Sequence, residues 1–227
     1  MIDRSRQIGM FGRYDLPVVN IAAEAECADF VTPAKAAGIP PFARMLHAVA
    51  QASLDVPQFR LRLLPDGTVR EVVVRDEGAD LRVSYTVLGV EENLNFSSFD
   101  HRAHFPDFLA AYLADREAAR AAFARGEADL RLSPLGEDRA WIFVTCLPWL
   151  RFTFIQHPIA DTADCSIPGI AVGRYEVTAD GRVRFPIAVQ AHHGLVDGIH
   201  IARYIRRVEA LLDQAADAPA QPAEPVL

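Results

Sequence analysis

Lysine is almost missing from this 227-residue chain: Lys35 is the only one among 23 basic side chains, so nearly all positive charge is arginine. A GC-rich coding sequence accounts for that bias as readily as a need for planar, bidentate donors, so it carries no functional weight. No extended basic block is present and the formal net charge is −7, which argues against nucleic acid or an anionic membrane as the main partner. No run approaches the roughly 18 apolar residues of a membrane span. The N-terminus, Met1-Ile2-Asp3-Arg4-Ser5-Arg6, lacks the apolar core of a secretory signal. Cysteine is scarce: Cys27, Cys146 and Cys165 are odd in number and lack metal-ligand spacing. Reduced thiols in a soluble, cytoplasmic protein are the expectation. Internal repeats are absent, as is any linker that would split the chain.

What is present is ordinary for a globular protein: 51% hydrophobic and 23% charged residues. The length suffices for one substantial core. Pro40-Pro41 opens a helix over 42–54, with Phe42, Met45, Leu46 and Val49 at helical spacing. Residues 106–125 form a second, through Phe108, Leu109, Tyr112 and Leu113, stopping at Gly126. A last helix from about Gly198 carries Ile201, Ile205, Val208 and Leu212 on one face, and Pro33 to Ala37 is a short helical candidate. Strands are expected over 59–64 and 68–75, joined through Pro65-Asp66-Gly67, and over 170–177 and 183–191, joined through Ala179-Asp180-Gly181. Further strands are expected at 81–88, 93–99, 141–145 and 150–155, with a loop over 127–138. The Ala/Pro-rich stretch 215–227 lacks a core pattern and is expected to be a disordered tail. The fold class is α+β: a two-layer sandwich over residues 1–214, a mixed β-sheet with helices packed on one face.

The chemistry concentrates in Val189-Gln190-Ala191-His192-His193-Gly194-Leu195-Val196-Asp197-Gly198-Ile199-His200. An apolar run delivers two histidines into a small-residue turn at a strand-to-helix junction, where a general base gains placement, orientation and room. Val183, Phe185, Ile187, Val189, Ala191 and His193 share parity, so His193 ends a core-facing row and His192 points the other way. Spacing favours His193 as the working base, with Asp197 four residues beyond it. The plainer alternative is polar punctuation at a strand end, with Asp197 as a helix N-cap. Metal binding is the weakest reading, because no further Cys/His cluster supplies the usual ligands beside His193 and Asp197.

The run from Pro186 to Arg203 resembles the signature of the chloramphenicol acetyltransferase family, "P-L-x-x-Q-V-H-H-x-x-x-D-G-x-H". Val144-Thr145-Cys146-Leu147-Pro148-Trp149-Leu150-Arg151-Phe152 is similar to its "S-x-x-P-W-x-x-F" strand. Gly173-Arg174-Tyr175 matches "G/A-K-Y", Pro57-Gln58-Phe59-Arg60 with Asp66-Gly67 matches "E-F-R … D-G", and Asn95-Phe96-Ser97 matches "T-F-S". The likeness spans residues 10–213. An H-x-x-x-D-G motif alone is shared with dihydrolipoamide acyltransferases and peptide-synthetase condensation domains; the Pro-Trp strand favours the first family.

The resemblance implies a CoA-dependent O-acetyltransferase, with chloramphenicol as the default acceptor and antibiotic resistance as the setting. It implies a homotrimer with interfacial sites, acetyl-CoA as co-substrate and no permanently bound cofactor. His193 is then the general base, and Thr145 holds the place of a serine whose hydroxyl stabilises the oxyanion. Asp197 is a structural brace for an N-terminal arginine, for which Arg6 is the nearest candidate, one position out of register. Trp149 and Tyr175 match positions lining the CoA channel. Two further departures stand out: Ala171 replaces a threonine near the oxyanion, and the aromatic and cysteine pattern of the acceptor pocket is not reproduced over Asn20 to Cys27. Another small alcohol or amine as acceptor, or a non-catalytic trimeric ligand-binding homologue, are the alternatives.

Overall fold

Two strands of eleven residues, β1 (Val18–Ala28) and β11 (Arg182–His192), pair antiparallel along their whole length, with Val18 opposite His192 and Ala28 opposite Arg182. On β11, Val183, Phe185, Ile187, Val189 and Ala191 belong to the buried apolar cluster; their period of two fixes which face meets the helices. A computed structural model describes residues 2–88, 94–127, 140–159 and 165–217. The sheet continues from β11 to β9 (Gly169–Gly173), β8 (Trp141–Leu147), β6 (Arg82–Leu88) and β7 (Leu94–Asp100). β6, β8 and β9 run parallel and the other pairings are antiparallel, so the sheet is mixed. A short strand, β10 (Glu176–Val177), also pairs with β11.

The helices supply the second layer. α3 (Pro41–Asp55) buries Ala43, Met45, Leu46, Val49 and Ala52, and begins on the proline pair because a missing N–H costs nothing in a first turn. α5 (Gly198–Asp217) buries Ile201, Tyr204, Val208 and Leu212, and Tyr204 donates its hydroxyl proton to the Val49 carbonyl of α3 at 2.9 Å. α4 (Phe105–Ala124) buries Phe108, Tyr112 and Ala119 and closes on Gly126, whose φ of 72° suits glycine. α2 (Val31–Ala36) is the short helix expected there. This is the α+β sandwich, mixed sheet with helices on one face, that the patterning predicts.

Departures from expectation are local. Residues 57–60 form a 3-10 turn opened by Pro57, leaving β2 (Leu61–Leu63) as the strand. The expected strand over 68–75 divides into β3 (Val69–Glu71) and β4 (Val74–Arg75), and β4 pairs with β5 (Gly78–Ala79). The two hairpin turns fold as read, with Gly67 and Gly181 at φ of 82° and 76°.

The apolar run at 150–155 is not a strand. It crosses the sheet's helix-free face and is held by side chains: Asn20 donates to the Ile155 carbonyl, and the His157 N–H donates to Gln190 Oε1 at 3.1 Å. Gly173 permits the crossing, since a Cβ there would sit 2.6 Å from the Leu150 carbonyl oxygen and 2.4 Å from Pro186 Cγ. The expected tail begins at Ala215, yet α5 runs on to Asp217; residues 218–227, and most of the loop expected over 127–138, lie outside the described residues.

Candidate active site

β11 ends at His192, so His193 is the first residue past the sheet. Its parity therefore does not set its direction; the turn does. The His193 N–H donates to the Pro17 carbonyl at 2.8 Å, and the Leu195 and Val196 N–H groups donate to the His192 carbonyl at 2.9 Å. His192 is 2% exposed, and its Nδ1 accepts the Gly194 N–H at 3.0 Å. Burial lowers its pKa, and Nδ1 as acceptor requires the Nε2–H tautomer. His192 is a neutral bracket for the turn.

His193 is differently placed. Its side chain is 32% exposed and its imidazole stacks on Phe11, with centroids 4.0 Å apart and planes 13° from parallel. Its Nδ1 is buried and lies 3.4 Å from Asp197 Oδ1 without a hydrogen bond, so Nε2 is the nitrogen left for solvent or substrate. Phe11 comes from α1 (Ser5–Phe11), a seven-residue helix unread in the sequence.

The residue before that helix fastens it. Arg4, 8% exposed, donates from Nη1 to Asp197 Oδ2 at 2.7 Å, from Nε to the Gly194 carbonyl at 3.0 Å and from Nη2 to the His193 carbonyl at 3.5 Å. Arg4, and not Arg6, is thus the arginine of Asp197; Arg6 is exposed, on the outer side of the helix. Sequence register missed this because the pairing depends on how α1 enters the turn.

Arg4 holds the Asp197 carboxyl below the usual aspartate range. Asp197 therefore braces the turn through its side chain, while its carbonyl accepts the first helical N–H groups of α5 from His200 and Ile201. The Asp197 N–H donates to His200 Nδ1 at 2.9 Å, and burial lowers the His200 pKa. Gly194 is set by space: a Cβ would lie 2.8 Å from His192 Cε1 and 3.0 Å from Ile8 Cα. Its smallness admits α1.

Thr145 lies on β8, half-buried, opposite Ala171 of β9, which stands opposite Ala188 of β11. Residues directly opposite share a sheet face. Alternation puts Ile142 and Val144 in the helix-side core, so Thr145 projects on the helix-free face. Two strand spacings across and five residues along separate it from His193, roughly 20 Å. Within one chain the two do not meet. The neighbouring thiol, Cys146, points the other way, and burial pushes its pKa up to about 11, so it is not a thiolate at neutral pH.

Trp149 follows β8 in a turn and is 61% exposed; Leu150 and Phe154 beside it are exposed as well. Tyr175 instead packs edge-on against Phe30 and Phe185, its hydroxyl buried. Among the described residues no group of three or more His, Cys, Asp or Glu side chains is placed to hold a metal ion. No helix among them is long and apolar enough to cross a membrane.

The family profile of chloramphenicol acetyltransferase matches residues 10–209. The chain belongs to the chloramphenicol acetyltransferase family. Among curated relatives, chloramphenicol acetyltransferase 3 of Escherichia coli is 28% identical over 169 residues, covering 74% of this chain and 72% of that protein. A chloramphenicol acetyltransferase of Clostridium perfringens is 33% identical over 132 residues, 56% of each chain. A solved chloramphenicol acetyltransferase superposes with a TM-score of 0.73 at 24% identity, covering 93% of this chain and 96% of that one. The Azotobacter vinelandii dihydrolipoamide acetyltransferase shares the fold, with a TM-score of 0.62 at 18% identity over 94% of this chain and 90% of that one. As a chloramphenicol acetyltransferase family member the chain is an acyl-CoA-dependent acetyltransferase enzyme, with acetyl-CoA as co-substrate.

Proposed function

We propose that the chain is an O-acetyltransferase in which His193 is the general base, with chloramphenicol as its first candidate acceptor. His193 Nε2 takes the proton of the acceptor hydroxyl as its oxygen attacks the thioester carbonyl of acetyl-CoA. The C–O bond forms, and the carbonyl electrons move onto an oxyanion. Collapse of that intermediate breaks the C–S bond, and the imidazolium returns the proton to the leaving sulfur, giving free CoA thiol and the acetyl ester. The part-exposed imidazole, its buried Nδ1 beside Asp197 and the stacked Phe11 ring support this assignment; the tautomer it needs carries its proton on Nδ1.

The oxyanion donor in this reading is the hydroxyl of Thr145 of the partner subunit. The observation that carries it is the register Thr145–Ala171–Ala188, which sets Thr145 two strands across and several residues along from the His193 turn, roughly 20 Å by strand spacing: a site using both is assembled between copies. A homotrimer is the expected assembly, and the exposed Trp149, Leu150 and Phe154 supply apolar surface for the contact. Trp149 is available to an incoming CoA arm. Tyr175 acts through packing.

A second acceptor class is favoured by Ala171 opposite Thr145 and by the polar side chains of Asn20 and Gln190 on the same sheet face. Purified protein with acetyl-CoA and chloramphenicol, followed by free-thiol release, tests the first acceptor. Release that depends on His193 supports it; release equal to that of His193→Ala removes chloramphenicol and leaves other small alcohols or amines.

A further inference from the structure

Arg203 and Arg207 stand about one turn apart on α5 and line the same groove, where α5 meets the end of α3 and strand β4. The groove measures about 670 Å³, within the range of small-molecule sites. Its other walls include Asp55 at the end of α3, Pro57 and Arg60 of the 3-10 turn, and Val74 of β4. It is built largely from the helix layer, whereas Thr145 projects from the helix-free face of the sheet.

Positive charge in this groove exceeds negative, on a chain whose net charge is −7. The carboxylates within reach are already committed. Asp55 Oδ1 accepts from Gln51 Nε2 at 2.9 Å and its Oδ2 from Arg207 Nε at 2.6 Å, while Glu71 is taken by Arg60 Nη2 at 2.7 Å. Arg203 is exposed and has no hydrogen bond or ion pair among the described residues. Like charges at i and i+4 on a helix repel each other, and an anion between them would relieve that repulsion. Arg60 adds an unmet donor: its Nη1 donates to the Leu54 carbonyl at 3.3 Å, but its Nε–H is buried without an acceptor among the described residues. Pro57 and the 47% exposed Val74 give the same groove an apolar wall.

We infer that this groove is a binding site for a small amphiphilic anion, whose charged group bridges Arg203 and Arg207. The charged group is a carboxylate or a phosphate monoester, since the planar guanidinium fork matches the oxygen spacing of both. The apolar body of the ligand lies against Pro57 and Val74. Arginine keeps its charge at any physiological pH, so the site is ready without a change in protonation. The site uses neither His193 nor Thr145 and stands independently of the acyl-transfer reading.

Three matched probes test this by titration calorimetry on the full-length protein at constant ionic strength: phenyl phosphate, inorganic phosphate and phenol. Phenyl phosphate is expected to bind saturably and more tightly than inorganic phosphate, with phenol, which lacks the anion, the weakest. Arg203→Gln, at an exposed position, should weaken phenyl phosphate by about tenfold or more. Arg206→Gln makes the same charge change on α5 at an exposed residue outside the groove and should leave the affinity unchanged. Absence of saturable phenyl phosphate binding overturns the inference. So does an equal loss in the two variants, because the probe then senses only the general charge of α5. Inorganic phosphate or phenol binding as tightly as phenyl phosphate overturns the ligand class.

Discussion

His192 and His193 are adjacent, carry the same side chain and differ in what surrounds them. The first gives its Nδ1 to a backbone N–H inside the fold; the second keeps Nε2 available while Phe11 and Asp197 cover its other side. His193→Ala is expected to lower kcat by roughly 10²–10⁴, the usual contribution of a general base, whereas a loss at His192 should register first as lowered thermal stability. Thr145→Ala should cost roughly 10²–10³ in kcat with little change in KM for acetyl-CoA, and Thr145→Ser should recover most of it. Steady-state kinetics on the three variants checks both.

The Arg4–Asp197 pair gives a signed pH expectation. Asp197 has its folded pKa depressed, so its stabilisation is complete above the ordinary aspartate value of 3.8 and is lost as pH falls through the lower folded value. Asp197→Asn should remove that part of the acid limb of a stability-against-pH curve and cost about 1–3 kcal/mol near neutral pH. His193 and Asp197 were legible in the sequence from spacing and strand-end placement. Arg4 and Phe11 were not, because both depend on where a short helix more than 180 residues away lands on the turn (193 residues from Arg4 to Asp197).

At the level of elements, α1 is a strap over the histidine turn, held by Arg4 at one end and Phe11 at the other. Gly194 is the seat that lets it close. Gly194→Ala should push the His192 ring or Ile8 aside, costing about 1–3 kcal/mol by overpacking. Loss of the Phe11 stack should also lower kcat more than KM. Phe11→Ala should reproduce the kinetic part with a smaller effect on stability, a split that melting curves and kinetics together would reveal.

The helices and hairpins were readable because their signals are local: apolar spacing at 3.6 or 2, proline at a first turn, glycine at positive φ. The run at 150–155 was misread for a physical reason. Apolar content alone does not tell a strand from a segment whose side chains stay exposed on one chain, as Leu150 and Phe154 do.

For the whole molecule, burial acts in one direction on the internal histidines. His101 is 1% exposed with both ring nitrogens unpartnered among the described residues, and burial pushes its pKa from 6.5 down to about 4. His47, His157, His192 and His200 are lowered too, again chiefly by burial. A base with a depressed folded pKa binds fewer protons folded than unfolded. For His101 stability is then complete above pH 6.5 and declines as pH falls toward 4, by up to about 1.4 kcal/mol per pH unit; the other four act in the same direction. His101→Leu should flatten that slope measurably in denaturant titrations at pH 5 and pH 7.

The family resemblance points to both Thr145 and His193, yet their separation is visible only once the strand order is known: β8, β9 and β11 lie side by side, with the two residues at different heights. That separation underlies the central claim, that acetyl transfer uses His193 from one copy and Thr145 of the partner subunit. Mixed oligomers test it most directly. His193→Ala and Thr145→Ala proteins, each nearly inactive alone, are unfolded together and refolded as an equal mixture. If sites form between copies, about one in four unites an intact histidine with an intact threonine, and thiol release should rise to that fraction of the wild-type rate. A mixture no more active than its two parents, in oligomers shown by subunit exchange to be mixed, would contradict the claim.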